Sequence, residues 1–349
     1  MKKVRVGKLV LGNGRVYIQS MTNTDTADVK ATVEQIYRLE AAGCEMVRVA
    51  VYDMESARRV KEIKSRISIP LIADVHFDHR VAIEAIRHGA DKIRLNPGNI
   101  GEKHRVEEIA RCAGDHGVPI RVGANAGSIK RRYLDKYPRY VALAESALDE
   151  VRILEKVGFH EIVVSAKSSD VVETVQATRY VRKRVQYPLH IGLTEAGVGY
   201  QAIVKSSIVL GTLLMEGIGD TVRVSLTGDP VNEVKVARAI LGSLGLKDVP
   251  QLIACPTCAR VTIDVEKVAR LLEKELMNID GNFKVAVMGC VVNGPGEAAD
   301  ADIGMFGVKN DKVVVLEKGK SEKFFCSTDE AVEYLLEVIR KWKSGKKCG

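Results

Sequence analysis

The feature that most constrains this chain is a repeated alternation of short apolar runs with longer amphipathic stretches. The apolar runs lie at 16–20, 45–51, 70–76, 92–96, 119–123, 161–167, 189–194 and 221–227. A stretch with helical periodicity follows each, at 29–42, 54–64, 79–88, 102–116, 140–157, 171–185, 200–215 and 231–244. Strands of period two separated by helices of period 3.6 predict β/α units around a parallel sheet. Several helical stretches stop at a glycine, as at Gly43, Gly89, Gly117 and Gly158, where a left-handed residue ends a helix. Eight such units in roughly 250 residues match a closed (β/α)8, or TIM, barrel. An open doubly wound sheet is the weaker alternative, because no Gly-rich dinucleotide turn follows the first strand.

Strand parity then locates a site. Successive side chains of a strand point to opposite faces. In Val47-Arg48-Val49 the valines share one face and Arg48 takes the other. Ile93-Arg94-Leu95-Asn96 sets Arg94 with Asn96, and Ile120-Arg121-Val122 and Val222-Arg223-Val224-Ser225 repeat the pattern. Ser165 shares a face with Lys167, and Asp74 with His76. The apolar faces pack under the outer helices, so the polar faces point into the barrel near the carboxyl ends of its strands. Four arginines and a lysine from five strands would repel one another and lose hydration there, with only Asp74 and Glu195 as carboxylates near the same strand ends. The expectation is a missing polyanion, since arginine forks bind phosphate oxygens and the top of such a barrel is where ligands bind. His76 reads either as a phosphate donor or as a satisfied core histidine, with the donor role favoured. Glu195, in Gly192-Leu193-Thr194-Glu195-Ala196-Gly197, reads either as a counter-ion for the arginines or as a proton donor to substrate.

Charge placement agrees. The chain of 349 residues has a net charge of +8, yet the segment from 251 onward carries 15 basic and 15 acidic residues. All the excess positive charge therefore belongs to the first 250 residues, which argues against a basic nucleic-acid-binding tail. With 46% hydrophobic residues the chain can build large cores. No uncharged run approaches a membrane span, and the start, Met1-Lys2-Lys3-Val4-Arg5, has no apolar signal segment, so a cytoplasmic location is expected.

The last hundred residues read as a second, small α+β domain. The boundaries expected from sequence are 1–245 for the barrel, 246–254 for a linker and 255–349 for this domain. Three of the seven cysteines stand in it with ligand-like spacing: Cys255-Pro256-Thr257-Cys258, then Gly289-Cys290-Val291-Val292-Asn293-Gly294-Pro295-Gly296-Glu297. Gly-Pro turns project side chains from loops, and Glu297 could reach the same metal. Cys326 is a further candidate; Cys44, Cys112 and Cys348 stand alone. Structural zinc prefers a closed set of four Cys or His ligands. A [4Fe–4S] cluster held by three thiolates keeps one distinct iron, on which a carboxylate is replaceable. Spacing therefore favours an iron–sulfur cluster over zinc without excluding zinc.

At these residues the chain resembles the 4-hydroxy-3-methylbut-2-enyl diphosphate synthase family of the non-mevalonate isoprenoid pathway, in its short bacterial form. The resemblance runs nearly end to end. It is carried by Gln19-Ser20-Met21-Thr22-Asn23-Thr24, Lys92-Ile93-Arg94-Leu95-Asn96-Pro97-Gly98-Asn99, Gly192 to Gly197, Ser225-Leu226-Thr227-Gly228 and the two cysteine motifs. It implies a TIM barrel followed by a small domain similar to the repeats of sulfite and nitrite reductases. It implies a [4Fe–4S] cluster on Cys255, Cys258, Cys290 and Glu297. The implied substrate is 2-C-methyl-D-erythritol 2,4-cyclodiphosphate, gripped by Arg48, Arg94, Arg121, Asn125, Lys167, Arg223 and Ser225, with His76 and Asn96 nearby and Glu195 as the acid. Further implications are a flavodoxin or ferredoxin as one-electron donor, and a head-to-tail homodimer in which one subunit's small domain caps its partner's barrel. Two other readings compete: a barrel lyase or transferase on a phosphorylated substrate with structural zinc, and a nucleic-acid binder with a zinc-ribbon-like tail.

Overall fold

The computed structural model describes residues 1–277, 279–309, 312–325 and 327–343. Cys326 and Cys348, weighed above, lie outside the described residues. The chain divides into two compact units, Met1–Ile240 and Leu241–Gly349.

The first unit opens with a hairpin of β1 (Val4–Val6) and β2 (Leu9–Leu11), which the sequence reading lacks. Its buried Val4, Val6 and Leu11 pack with Met46, Ile72 and Val163 from three barrel strands and so close the barrel floor. Eight parallel strands follow: β3 (Tyr17–Met21), β4 (Met46–Val51), β5 (Leu71–Val75), β6 (Lys92–Arg94), β7 (Ile120–Asn125), β8 (Ile162–Lys167), β9 (His190–Ile191) and β10 (Thr221–Val222). β3 to β8 pair in sequence order, β10 pairs with both β3 and β9, and a bridge between Val164 and Leu189 joins β8 to the start of β9. The ring is thus closed, as the eightfold repeat predicts.

Eight helices follow the strands: Val29–Ala41, Met54–Arg66, His79–Arg87, Lys103–Asp115, Arg139–Lys156, Val171–Arg182, Gly199–Met215 and Pro230–Ser243. Aspartates 28, 53, 78 and 170 cap four of them by accepting a first-turn backbone N–H.

Three strands are shorter than expected. β6 stops at Arg94, because Asn96 opens a one-turn helix at Pro97–Ile100. β9 and β10 keep two residues each. Gly192 leaves the ladder at φ +141°, and a Cβ there would lie 2.2 Å from the Arg223 carbonyl oxygen. That close approach bends both segments away from regular pairing and turns the residues beyond them into mouth loops.

The second unit holds a mixed sheet in the order β11 (Gln251–Ala254), β12 (Lys284–Met288), β13 (Ile303–Gly307), β14 (Val313–Glu317) and β15 (Lys323–Phe325). The first three are mutually parallel and the last two antiparallel. Residues 251–254, within the segment read as a linker, therefore belong to this sheet. Alternation decides its faces. Val285 and Val287 join Leu272 and Leu335 of the helices Val265–Leu276 and Thr328–Lys343 in one core. Met288 faces the other side, with Ala298 of the short helix Gly294–Asp300 and Phe306.

Candidate functional site

In the barrel unit the inward positions of neighbouring strands bring the expected cations together. β4 supplies Arg48, β5 Asp74, β6 Arg94, β7 Arg121 and β8 Lys167, while Arg223 follows β10. Asp74 lies between two arginines, 3.6 Å from Arg48 Nε and 3.5 Å from Arg94 Nη1. Its Oδ1 is buried at ion-pair range but accepts no hydrogen bond. Burial alone would raise this carboxyl; Arg48, Arg94 and Arg121 hold it below the usual value. His76 projects from the strand end, exposed, with both ring nitrogens about 3 Å from Arg94 Nη1 and its Nε2 3.6 Å from Asp74 Oδ1. Burial and the neighbouring arginines outweigh Asp74 and lower its pKa.

Sequence reading expects Asp74 and Glu195 as the only carboxylates near these strand ends. The structure corrects this. Glu233, from the first turn of the helix Pro230–Ser243, reaches in and takes Arg223 in a two-point pair, both contacts at 3.1 Å. It also accepts from the Ser20 hydroxyl at 2.9 Å and from Leu226 N at 3.2 Å. A glutamate three positions into a helix is unremarkable in sequence; only barrel closure sets it beside Ser20. Glu195 forms no ion pair with the arginines among the described residues. It is exposed, with φ at +53°. The counter-ion alternative for Glu195 therefore has no geometric support here.

Five cations thus meet two carboxylates. Arg121 and Lys167 remain without either of them in contact. Arg121 is 4% exposed, its Nη1 lies 3.4 Å from Ser165 Oγ, and its Nε is buried with no partner among the described residues. Burial, then repulsion from Arg48 and Arg94, lowers the Arg121 pKa strongly, and burial brings Arg48 down to about 10. Both guanidiniums stay charged at neutral pH. A buried donor without an acceptor costs about 1–3 kcal/mol, a cost that an anionic acceptor would remove. Lys92, which the sequence reading leaves unassigned, shares the inward parity of Arg94 and is fully buried below it, 3.5 Å from Gln19 Oε1.

The remaining expected residues frame this ring. Asn125 ends β7 directly across from Lys167 and turns the chain into the next loop, with Ser128 Oγ accepting its backbone N–H at 2.9 Å. Asn96 Oδ1 accepts from Gly123 N at 3.3 Å, and Ser225 donates to the Leu193 carbonyl at 3.0 Å. Asn96 and Ser225 therefore also hold backbone in place.

In the second unit, β11 and β12 are parallel and in register from Gln251 opposite Lys284 to Ala254 opposite Val287. Cys255 leaves the end of β11, and Cys290 stands two residues beyond β12, so their loops are neighbours at one sheet edge. Gly289 N donates to Cys255 Sγ at 3.1 Å, which ties the two loops together. Cys258 is exposed on the same loop as Cys255, and Glu297 is exposed in the first turn of Gly294–Asp300. No three His, Cys, Asp or Glu side chains among the described residues are drawn close enough to hold one metal ion. Three free thiols on adjacent loops suit a group that offers each sulfur its own metal atom; this donor chemistry fits an iron–sulfur cluster.

Residues 1–238 match the family model of the GcpE TIM-barrel domain, and residues 251–341 match that of the GcpE protein C-terminal domain. The chain is 54% identical over 342 residues to the 4-hydroxy-3-methylbut-2-en-1-yl diphosphate synthase (flavodoxin) of Thermotoga petrophila, spanning 98% of this chain and 96% of that one. It is 51% identical over 344 residues to the protein of the same name from Caldanaerobacter subterraneus, spanning 97% and 96%. Among solved structures, a dihydropteroate synthase from Stenotrophomonas maltophilia superposes with a TM-score of 0.50 at 16% identity, covering 69% of this chain and 98% of that one. That likeness concerns the barrel fold alone.

Proposed function

This chain belongs to the GcpE family, and from that premise we propose that it is a 4-hydroxy-3-methylbut-2-enyl diphosphate synthase of isoprenoid precursor biosynthesis. The reaction is the reductive ring opening and dehydroxylation of 2-C-methyl-D-erythritol 2,4-cyclodiphosphate. The observation that carries the reading is the convergence of Arg48, Arg94, Arg121, Lys167 and Arg223 in one barrel with only two carboxylates among them. A diphosphate is the ligand that such a ring of forks and an ammonium fits. Arg121 Nε would gain an acceptor, and Arg48 and Arg94 would share their charge between Asp74 and phosphate oxygen. We assign the proton delivery to Glu195, which is exposed in the loop after β9.

The cofactor is an iron–sulfur group, and we assign it as a [4Fe–4S] cluster held by Cys255, Cys258, Cys290 and Glu297. When bound, it supplies two electrons one at a time. Flavodoxin, named in the relatives, is the donor proposed here, with ferredoxin the alternative. The barrel domain of this reading ends at Ile240, and the cluster domain takes in β11 and so begins no later than Gln251 rather than at 255. No helix among the described residues is long and apolar enough to cross a membrane, and we place the protein in the cytoplasm.

A homodimer completes the reading. Tyr200, Val204, Ile208 and Met215 are all exposed along one face of the helix Gly199–Met215. An antiparallel second copy of this helix, centred between Ser207 and Ile208, sets Tyr200 opposite Met215, Val204 opposite Gly211 and Ile208 opposite Ser207. Two of these three pairs place a large side chain against a small one, which is the self-complementarity a two-fold interface needs.

Anaerobic turnover of the cyclic diphosphate with a one-electron reductant tests the assignment. Product formation together with iron and inorganic sulfide in the protein is the expected result. Zinc at one per chain without turnover would replace it with the lyase or transferase reading.

A further inference from the structure

The barrel contains one buried imidazole that the anion site described so far leaves without a role. His190 opens β9 and is 1% exposed. Its Nε2 lies 3.0 Å from Lys167 Nζ, and its Nδ1 lies 2.9 Å from Oγ1 of Thr221, its register partner on β10. Two basic groups in contact cannot both be charged without a large penalty. Burial first, then Lys167, Arg121, Lys92 and Arg48, push His190 well below its ordinary pKa. The imidazole is therefore neutral, with one donor and one acceptor nitrogen. With Nδ1–H donating to Thr221 Oγ1, Nε2 presents its lone pair to the ammonium.

Among the described residues His190 is the hydrogen-bond partner of Lys167. Glu233 is committed to Arg223, Ser20 and Leu226 N. On another side the backbone closes in: a Cβ added at Gly192 would lie 3.3 Å from Nζ. The choice of acceptor has a physical consequence. A carboxylate at this place would hold Lys167 equally well but would cancel its charge and repel an incoming phosphate. A neutral imidazole fixes the ammonium without cancelling its charge; burial first, and then Arg121, Arg223 and Arg48, lower the Lys167 pKa, so an incoming phosphate favours its charged form.

We propose that His190 is a positioning residue of the anion site: oriented by Thr221, it binds one N–H of Lys167 and leaves the other two for phosphate oxygens. The proposal rests on the reading that Lys167 grips a diphosphate.

The test uses anaerobically prepared holoenzyme carrying His190→Leu, His190→Gln or Thr221→Val. The expected result for His190→Leu is a rise of about tenfold or more in KM for the cyclic diphosphate and in Kd for inorganic diphosphate, with kcat changed less and iron content unchanged. Because the Gln amide oxygen can accept where Nε2 did, His190→Gln should recover most of the binding. Thr221→Val should fall between the two. In spectra of 15N-labelled imidazole, His190 is expected as the neutral Nδ1–H tautomer from pH 5 to 9, with its Nε2 resonance shifting in Lys167→Met. A cationic ring, an Nε2–H tautomer, or His190→Leu and His190→Gln that melt lower at unchanged KM would overturn the positioning role alone. Wild-type enzyme that fails to bind inorganic diphosphate, with the Lys167–His190 contact intact in the spectrum, would instead overturn the diphosphate reading on which it rests.

Discussion

Single residues in the barrel mouth carry opposed demands of folding and binding, and the sign of each substitution follows from which demand it touches. Arg121 is buried with one donor unsatisfied, so its truncation removes a charge-assisted contact to ligand worth about 1.5–3 kcal/mol. Arg121→Ala is expected to raise KM roughly 10- to 100-fold before it affects folding; an unchanged KM with a lowered melting temperature would assign it a purely structural part. Asp74 behaves oppositely, since it holds Arg48 and Arg94 together. Its carboxyl sits below 3.8 in the folded state. The stability it contributes is therefore present above about pH 4 and is lost as pH falls through the lowered value. Asp74→Asn should melt lower than wild type at pH 7, with the gap closing below pH 4 in paired thermal scans. Glu297 is exposed and has no fold role visible in its contacts. Replacing it with Ala should reduce iron retention or turnover while far-UV dichroism stays unchanged; full iron and full activity would remove it from the ligand set.

At the scale of elements, the strands are spaced by contacts that tolerate no added atom. Gly123 of β7 is an example: a Cβ there would lie 2.0 Å from the Ser165 carbonyl oxygen on β8. Gly123→Ala should destabilise by at least about 1–3 kcal/mol, read as a lowered denaturation midpoint. Gly98, in the motif after β6, donates its N–H to Glu150 at 2.6 Å and has no room for a side chain on that side. Part of that motif is therefore a device for seating the one-turn helix rather than for chemistry. The mouth loop after β7 is anchored in the same way. Asp149 of the helix Arg139–Lys156 takes Lys130, Arg132 and the Tyr133 hydroxyl together. Burial would raise its carboxyl, but those partners bring it down to about 2. Asp149→Asn should loosen residues 130–135 to proteolysis at neutral pH, an effect that fades between about pH 4 and pH 2 as the wild-type carboxylate itself becomes protonated.

For the whole molecule, each unit has an apolar core built from its own residues. Cluster chemistry can therefore be removed without dismantling the barrel. Iron chelation under oxidising conditions is expected to leave a cooperative melting transition from residues 1–240; loss of both transitions together would make the units interdependent. The exposed face of the helix Gly199–Met215 is the other molecular-scale feature. Ile208→Glu places two charges at the centre of the proposed two-fold contact, and sedimentation should then report a monomer.

Much of this was legible in the chain itself. Eightfold alternation specifies a closed barrel because parallel strands need covering helices and the unit count closes the ring. Strand parity alone sets Arg48, Arg94, Arg121 and Lys167 inward, since the period of two is a local property of extended backbone. The spacing of the cysteines and their turn residues favour an iron–sulfur group over zinc without excluding zinc. What stayed hidden were pairings between distant segments. Three-residue strands such as β1 and β2 are too short to display a period. Glu233 meets Ser20, 213 positions away, and His190 meets Lys167 only once β8, β9 and β10 are neighbours. Which cations are neutralised, and which remain for a ligand, is decided by closure of the ring, because Coulomb and hydrogen-bond energies depend on distance in space and sequence order does not encode it.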